Sequence, residues 1–247
     1  MAAAACAELL DRYMEPLLAG RRQACRELIR QALEGGSPAE TIYRDVLWPA
    51  MVRVEQLFRE DRIGVAAEHM ATRINRLLTD QVQPHLARVG GLGKRILIMC
   101  APQEPEDLGA QMCADLFEAE GWDVYFVGGG VPDDEILHLA GQLRPDILLV
   151  FGTRPEGVPA VRRLIDLIRE VGAVPHMNVM ISGGVFNRAE GLWEEVNADL
   201  FAATAEEALG VARDAKPREP SVRTVGAMRK RRRRRRSPYL TAAEATV

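Results

Sequence analysis

Residues 95–100 read RILIMC, and the same kind of run returns as VYFV at 124–127, ILLVF at 147–151 and VMIS at 179–182. Each is short, rich in β-branched or bulky apolar residues, and followed by a loop and a segment of helical spacing. Runs that are apolar at nearly every position have no solvent face, so the sheet they build is parallel and covered by helices on both sides. A shorter run, Leu200 to Ala202, precedes a last helical pattern from Ala205 to Ala215. The expected fold of residues 94–215 is therefore α/β, a flavodoxin-like (Rossmann-like) five-stranded parallel sheet.

Upstream of Gly90-Gly91-Leu92-Gly93 the period is helical, and residues 1–90 read as an all-α four-helix bundle. Ser37-Pro38-Ala39-Glu40 has the form of a helix start, with Ser37 as cap, Pro38 at the first helical position and Glu40 completing a capping box. Ile42, Val46, Met51, Val54, Leu57 and Phe58 then recur at spacings of three to five, as do Ala67, Met70, Ala71, Ile74, Leu77 and Leu78. The link Glu60–Gly64 is short enough to set these two helices antiparallel. From Lys216 onward Pro217, Pro220 and Gly226 break the pattern, and residues 216–247 are expected to be a disordered basic tail.

The 247 residues carry a net charge of −3, which conceals a division. Residues 1–217 hold 22 basic against 33 acidic side chains, a balance of −11, whereas 218–247 hold 10 against 2, a balance of +8. The basic block Arg229, Lys230, Arg231, Arg232, Arg233, Arg234, Arg235 and Arg236 could clamp nucleic-acid phosphates or an acidic partner. No aromatic platform accompanies it, which argues against reading of bases. With 3 Lys among 32 basic residues, the block also fits a general preference for Arg and a tail that neutralises an acidic body. Cys6, Cys25, Cys100 and Cys113 have no ligand spacing, so zinc and disulfide frameworks are not expected. No apolar run approaches the roughly 20 residues of a spanning helix. The N-terminal stretch carries Glu8 and Asp11, unlike a secretory signal, and the expected location is cytoplasmic, with no membrane partner.

In open parallel sheets ligands bind beyond the carboxyl ends of the strands. Four loops qualify, 101–108, 128–132, 152–157 and 183–188. The first, APQEPEDLG, does not fit a dinucleotide: it has one glycine instead of GxGxxG, and Glu104, Glu106 and Asp107 would repel a phosphate at the helix start. A phosphorylated receiver domain is excluded because its Asp at the end of strand three is Phe151 here.

The spacing of these loops resembles the cobalamin-binding domain of corrinoid proteins, methionine synthases, mutases and light-sensing cobalamin repressors. That pattern is DxHxxG, SxL and GG. Here Glu104-Pro105-Glu106-Asp107-Leu108-Gly109 is followed after 41 residues by Phe151-Gly152-Thr153 and after 29 more by Gly183-Gly184. The bundle is similar to the cap of the light-sensing repressors, where Trp is followed after nine residues by Glu-His: Phe58 is followed after nine residues by Glu68-His69. On a helical wheel the apolar arc centres near Ile74, leaving Glu68 and His69 off it. The two-part architecture also resembles antirepressors of photosynthesis genes.

The resemblance implies a cobalamin site (adenosyl- or methylcobalamin) lined by Phe58, Glu68, His69, Glu104, Glu106, Leu108, Gly109, Gly128, Phe151, Gly152, Thr153, Gly183 and Gly184. It makes His69 the axial metal ligand and gives Gly183-Gly184 the role of admitting the nucleotide tail. Two departures bear on it. The family's lower ligand, the His of DxHxxG, is Glu106, and the Ser that meets the displaced base is Phe151. Three readings stay open: cobalamin with its own base or water below the metal, another tetrapyrrole such as haem or biliverdin, or no cofactor. Each residue also has an ordinary reading, His69 as an exposed helix histidine, Phe58 as core and Glu106 as a helix-start carboxylate. His85, His138 and His176 are expected to be structural or incidental.

The expectation is a sensory or regulatory protein, not an enzyme, responding to light or redox change and acting on transcription, a partner protein or a homo-oligomer. Its alternatives are a corrinoid methyl carrier of a methyltransferase system and a cofactor-free interaction module.

Overall fold

The computed structural model describes residues 2–104 and 106–220. Four helical segments form the N-terminal bundle. Helices α1 (Ala2–Leu18) and α2 (Arg22–Glu34) are followed by α3, which starts at Ala39–Ile42, passes through a π-helical turn at Tyr43–Leu47 and continues over Trp48–Arg59. Helix α4 (Val65–Val82) completes the bundle and ends in a 3-10 turn at Gln83–His85. The expected capping box is corrected here. Pro38 is the capping residue, no side chain caps the helix, and Glu40 instead accepts the Ala87 amide at 2.6 Å. That bond fastens the exit of the bundle to the start of α3.

The second half alternates β1 (Arg95–Cys100), α5 (Leu108–Ala119), β2 (Asp123–Gly128), α6 (Asp133–Leu143), β3 (Ile147–Phe151), α7 (Val158–Val171) and β4 (Asn178–Ser182). Short helices α8 (Gly184–Arg188) and α9 (Leu192–Glu195) lead to β5 (Leu200–Ala202) and α10 (Ala205–Asp214). All strand pairs are parallel, in the order β2-β1-β3-β4-β5. Every residue of β3 and β4 is buried, as the apolar runs ILLVF and VMI require, with the polar Asn178 and Ser182 buried at the ends of β4.

Helix α5 joins the two halves because it is apolar on two faces. Ala110, Cys113, Ala114 and Phe117 pack with β1, β3 and α10, while Leu108, Met112 and Ala119 enter the bundle core beside Tyr43, Leu78 and Val82. Full burial of a leucine or methionine contributes roughly 1.5–3 kcal/mol, so this shared wall holds bundle and sheet together.

A polar clamp reinforces it. Tyr43 Oη lies 3.0 Å from the Thr79 carbonyl on α4 and 2.9 Å from Asp115 Oδ2 on α5. One phenolic proton cannot serve both acceptors; a protonated Asp115 would resolve this by donating to Tyr43, which then donates to Thr79. Burial pushes the Asp115 carboxyl up to about 6, with Asp80 and Glu118 adding to the shift and the Tyr43 hydrogen bond opposing it.

Candidate functional site

The loops after β1, β2, β3 and β4 meet at the carboxyl edge of the sheet, and α3 and α4 of the bundle reach over them. Two polar chains cross from bundle to sheet. In the first, Glu55 of α3 accepts Arg188 Nη1 at 2.8 Å, and Arg188 Nη2 donates to the Thr153 carbonyl at 2.6 Å. Glu104 continues it, accepting Thr153 N and Thr153 Oγ1, both at 2.7 Å. In the second, Arg76 of α4 is paired with both Glu106 and Asp107 and donates to Gln111 Oε1 at 2.7 Å, while Gln111 donates to Asp80 at 2.6 Å. Burial works against the Arg76 charge, but the carboxylates of Asp107 and Glu106 more than offset it and hold the guanidinium above its ordinary value. Glu106 Oε1 also accepts the Asp107 and Leu108 amides at 3.1 and 3.3 Å, where α5 begins. A carboxylate there is favoured by the helix dipole.

Glycine is required in this floor by close approach. A Cβ on Gly109 would lie 2.3 Å from Phe151 Cζ, and one on Gly183, whose φ is +105°, would lie 2.3 Å from the Gly152 carbonyl oxygen. At Gly184 the requirement is weaker, since a Cβ would meet only the side-chain ends Arg188 Nη1 at 2.6 Å and Glu55 Oε1 at 3.0 Å. Leu108 is fully buried and belongs to the bundle core. Phe151 is 4% exposed, in register with Cys100 on β1 and Ser182 on β4. Ser182 Oγ is buried and, among the described residues, without a hydrogen-bond partner. Gly128 (φ +68°) lies against Asp107, and Gly130 (φ +77°) has open space around it.

On the bundle side, Glu68 is half-buried, accepts from Thr72 Oγ1 at 3.2 Å and lies 3.5 Å from His69 Nε2; the His69 side chain is 63% exposed. Phe58 is half-buried on α3. His69 and Arg76 are seven residues apart, close to two helical turns, so they occupy one stripe of α4 about 10 Å apart along its axis. His85 ends the bundle, His138 contacts Gln142 on α6, and His176 contacts the Arg218 carbonyl at the opposite end of the sheet. Among the described residues no group of three or more His, Cys, Asp or Glu is arranged to hold a metal. The basic block from Arg229 to Arg236 and Pro105 lie outside the described residues.

Sequence reasoning missed Glu55, Arg76 and Arg188. The signal for the first two was periodicity: Glu55 stands one turn before Phe58 and Arg76 two turns after His69, so extending each stripe along its helix finds them.

A B12 binding domain model matches residues 9–83 and a second B12 binding domain model matches residues 94–213. Similar proteins include dimethylamine corrinoid protein 2 of Methanosarcina acetivorans and dimethylamine corrinoid protein 1 of Methanosarcina mazei. Each is 23% identical over 213 residues, covering 84% of this chain and 95% of the relative. The structure of the Methanosarcina barkeri monomethylamine corrinoid protein superposes with a TM-score of 0.75 at 20% identity, covering 83% of this chain and 97% of that one, which establishes the shared fold.

These relatives correct two expectations. The similarity runs to corrinoid proteins of methanogens and not to light-sensing repressors, so photoreception and control of transcription are not supported. The expectation of a protein outside catalysis is overturned likewise, because the relatives are dimethylamine corrinoid proteins. No helix among the described residues is long and apolar enough to cross a membrane. With both halves matched in order, the chain belongs to the B12 binding domain family, and its cofactor is cobalamin.

Proposed function

We propose that this chain is a corrinoid carrier subunit that presents cobalamin to a methyltransferase partner from the cleft between α3, α4 and the carboxyl edge of the sheet. The observation that carries the reading is that both halves converge on that cleft: Glu55 and Arg76 come from the bundle, and their partners Arg188, Glu106 and Asp107 come from the loops of the sheet. The corrinoid relatives, matched over 95% of their length, support the same class. Cobalamin, when bound, supplies a metal that can accept and release a methyl group.

The residues present fit the group on one side and not on the other. Gly130 leaves open space on the loop after β2, and the exposed His69 stands on the same stripe of α4 as Arg76, which reaches the loops. The lower side does not fit the family's mode, since Glu106 is bound to Arg76 and Phe151 fills the space over Gly109. The chain's own residues would frame the ligand with Phe58, Glu68 and His69 above and Glu104, Thr153 and the glycines below. Arg229 to Arg236 would serve as a separate acidic-partner or nucleic-acid contact.

The test supplies purified protein with cobalamin, haem and biliverdin in separate dark incubations, followed by gel filtration. The expected result is retention of cobalamin at one per chain, acceptance of methyl by the reduced complex from a chemical methyl donor, and a spectrum unchanged by light. Retention of none of the three, or of haem alone, would overturn the reading. A light-driven change of ligation would return the chain to the sensor class.

A further inference from the structure

We infer that cobalamin held by this chain keeps its own nucleotide base below the metal, because the lower face is closed both to a protein nitrogen and to the channel a displaced base would need. The inference rests on the corrinoid reading above and names how that site takes its ligand.

The nitrogen is absent by composition and by placement. Residues 101–108 contain no histidine, and the chain's four stand elsewhere: His69 on α4, His85 at the bundle exit, His138 on α6 and His176 at the far edge of the sheet. The carboxylates in the loop are already engaged. Glu106 takes Arg76 and two backbone amides, Asp107 takes Arg76, and Glu104 takes the amide and hydroxyl of Thr153. Freeing Glu106 would take one of two carboxylates from a part-buried guanidinium and offer a hard oxygen to a metal that favours nitrogen. The Cys100 thiol is buried, and burial with Asp107, Glu104 and Glu106 around it keeps it protonated.

The channel is closed by one residue. Phe151 replaces the family's Ser, and its buried ring lies so close to Gly109 that a single added methyl would overlap it at 2.3 Å. Beside it in register is Ser182, whose hydroxyl has no partner among the described residues. A base lodged there would meet that hydroxyl; a phenyl ring stands next to it instead.

The test uses the full chain loaded with cobalamin and reduced to the cobalt(II) state, with electron paramagnetic resonance recorded on protein of natural isotope content and on protein uniformly labelled with nitrogen-15. The cofactor's own base splits the signal into triplets whatever the protein label, so triplets in both samples are expected. Doublets in the labelled sample would mean a protein nitrogen on the metal, and absence of axial nitrogen splitting would mean a base displaced and not replaced; either overturns the inference while leaving the carrier reading intact. Failure to retain cobalamin at all overturns both. In the double variant Glu106→His, Phe151→Ser, the labelled protein should change to doublets, and persistence of triplets would show that Glu106 and Phe151 are not what keeps the base in place. Ser182→Ala should leave cobalamin affinity within about twofold of the parent; a tenfold loss would place the base in the channel and refute the inference.

Discussion

Asp115→Asn tests the clamp between bundle and sheet. In the parent, burial raises the Asp115 carboxyl from 3.8 to about 6. Between those values the folded protein holds a proton that the unfolded chain has released, so stability falls as pH rises through the window and is fully present below it. At 1.36 kcal/mol per unit the shift corresponds to about 3 kcal/mol, and water at the part-exposed carboxylate reduces this to about 2 kcal/mol. Asparagine reproduces the protonated arrangement, since its amide can donate to Tyr43 Oη while Tyr43 donates to the Thr79 carbonyl 3.0 Å away. The variant should match the parent near pH 4 and exceed it by about 2 kcal/mol at pH 7.5.

The assay is urea unfolding followed by circular dichroism at half-unit steps between pH 4 and 8, in both proteins. Every other titrating group is common to the two, so the difference curve isolates this site. A flat difference, or a variant less stable than the parent at pH 7.5, would refute both the proton and the shared hydrogen bond. Tyr43→Phe, which removes the partner of the charged form, should cost about 1.5–3 kcal/mol at pH 7.5 by the same measurement.

Three further outcomes follow from the floor of the site and from the far edge of the sheet. Gly109→Ala should destabilise by about 1–2 kcal/mol, overpacking against Phe151 outweighing the gain in helix propensity. In the Phe151→Ala background that penalty should vanish, and additivity of the two changes in a denaturation cycle would refute the contact. Ser182→Ala removes a buried hydroxyl without a partner and should stabilise by about 1 kcal/mol, a rise in melting temperature that calorimetry would detect and a fall would contradict. Asp199 receives Arg169, Arg218 and the Val179 amide, so Asp199→Ala should cost about 3–5 kcal/mol in chemical denaturation, and a loss under 1 kcal/mol would show the pairs to be dispensable.

The sheet was legible because burial on both faces leaves its mark on every residue of a strand: ILLVF and VMIS coincide with β3 and the buried core of β4. The bundle was legible through its period, but its local chemistry was not. Ser37 and Glu40 have the letters of a capping box, yet Glu40 is drawn 47 residues along the chain to the Ala87 amide, a tertiary contact that no local rule carries. The site divides in the same way. Spacing picks out Gly109, Gly152 and Gly183, which the fold brings to one floor, but not Arg76 and Arg188, because an arginine in a chain with 29 arginines among its 32 basic residues carries no distinguishing signal until the fold brings a carboxylate to it.

Glycines that match a ligand-binding pattern do not all speak for a ligand. Gly183 must be glycine whether or not anything binds, since its φ of +105° and the Gly152 carbonyl 2.3 Å from any Cβ exclude a side chain on steric grounds alone. Gly109 is held by Phe151, whereas at Gly184 only the side-chain ends of Arg188 and Glu55 would have to move. Gly130 is different: it has a left-handed φ of +77° and no neighbour within 4 Å, so strain in the turn and open space coincide there. The open position at this edge of the sheet is therefore the exposed Gly130, on the loop after β2 and away from Phe151. A corrinoid that keeps its own base needs no clearance within the sheet, and the close approaches of Gly109 to Phe151 and of Gly183 to Gly152 leave none there.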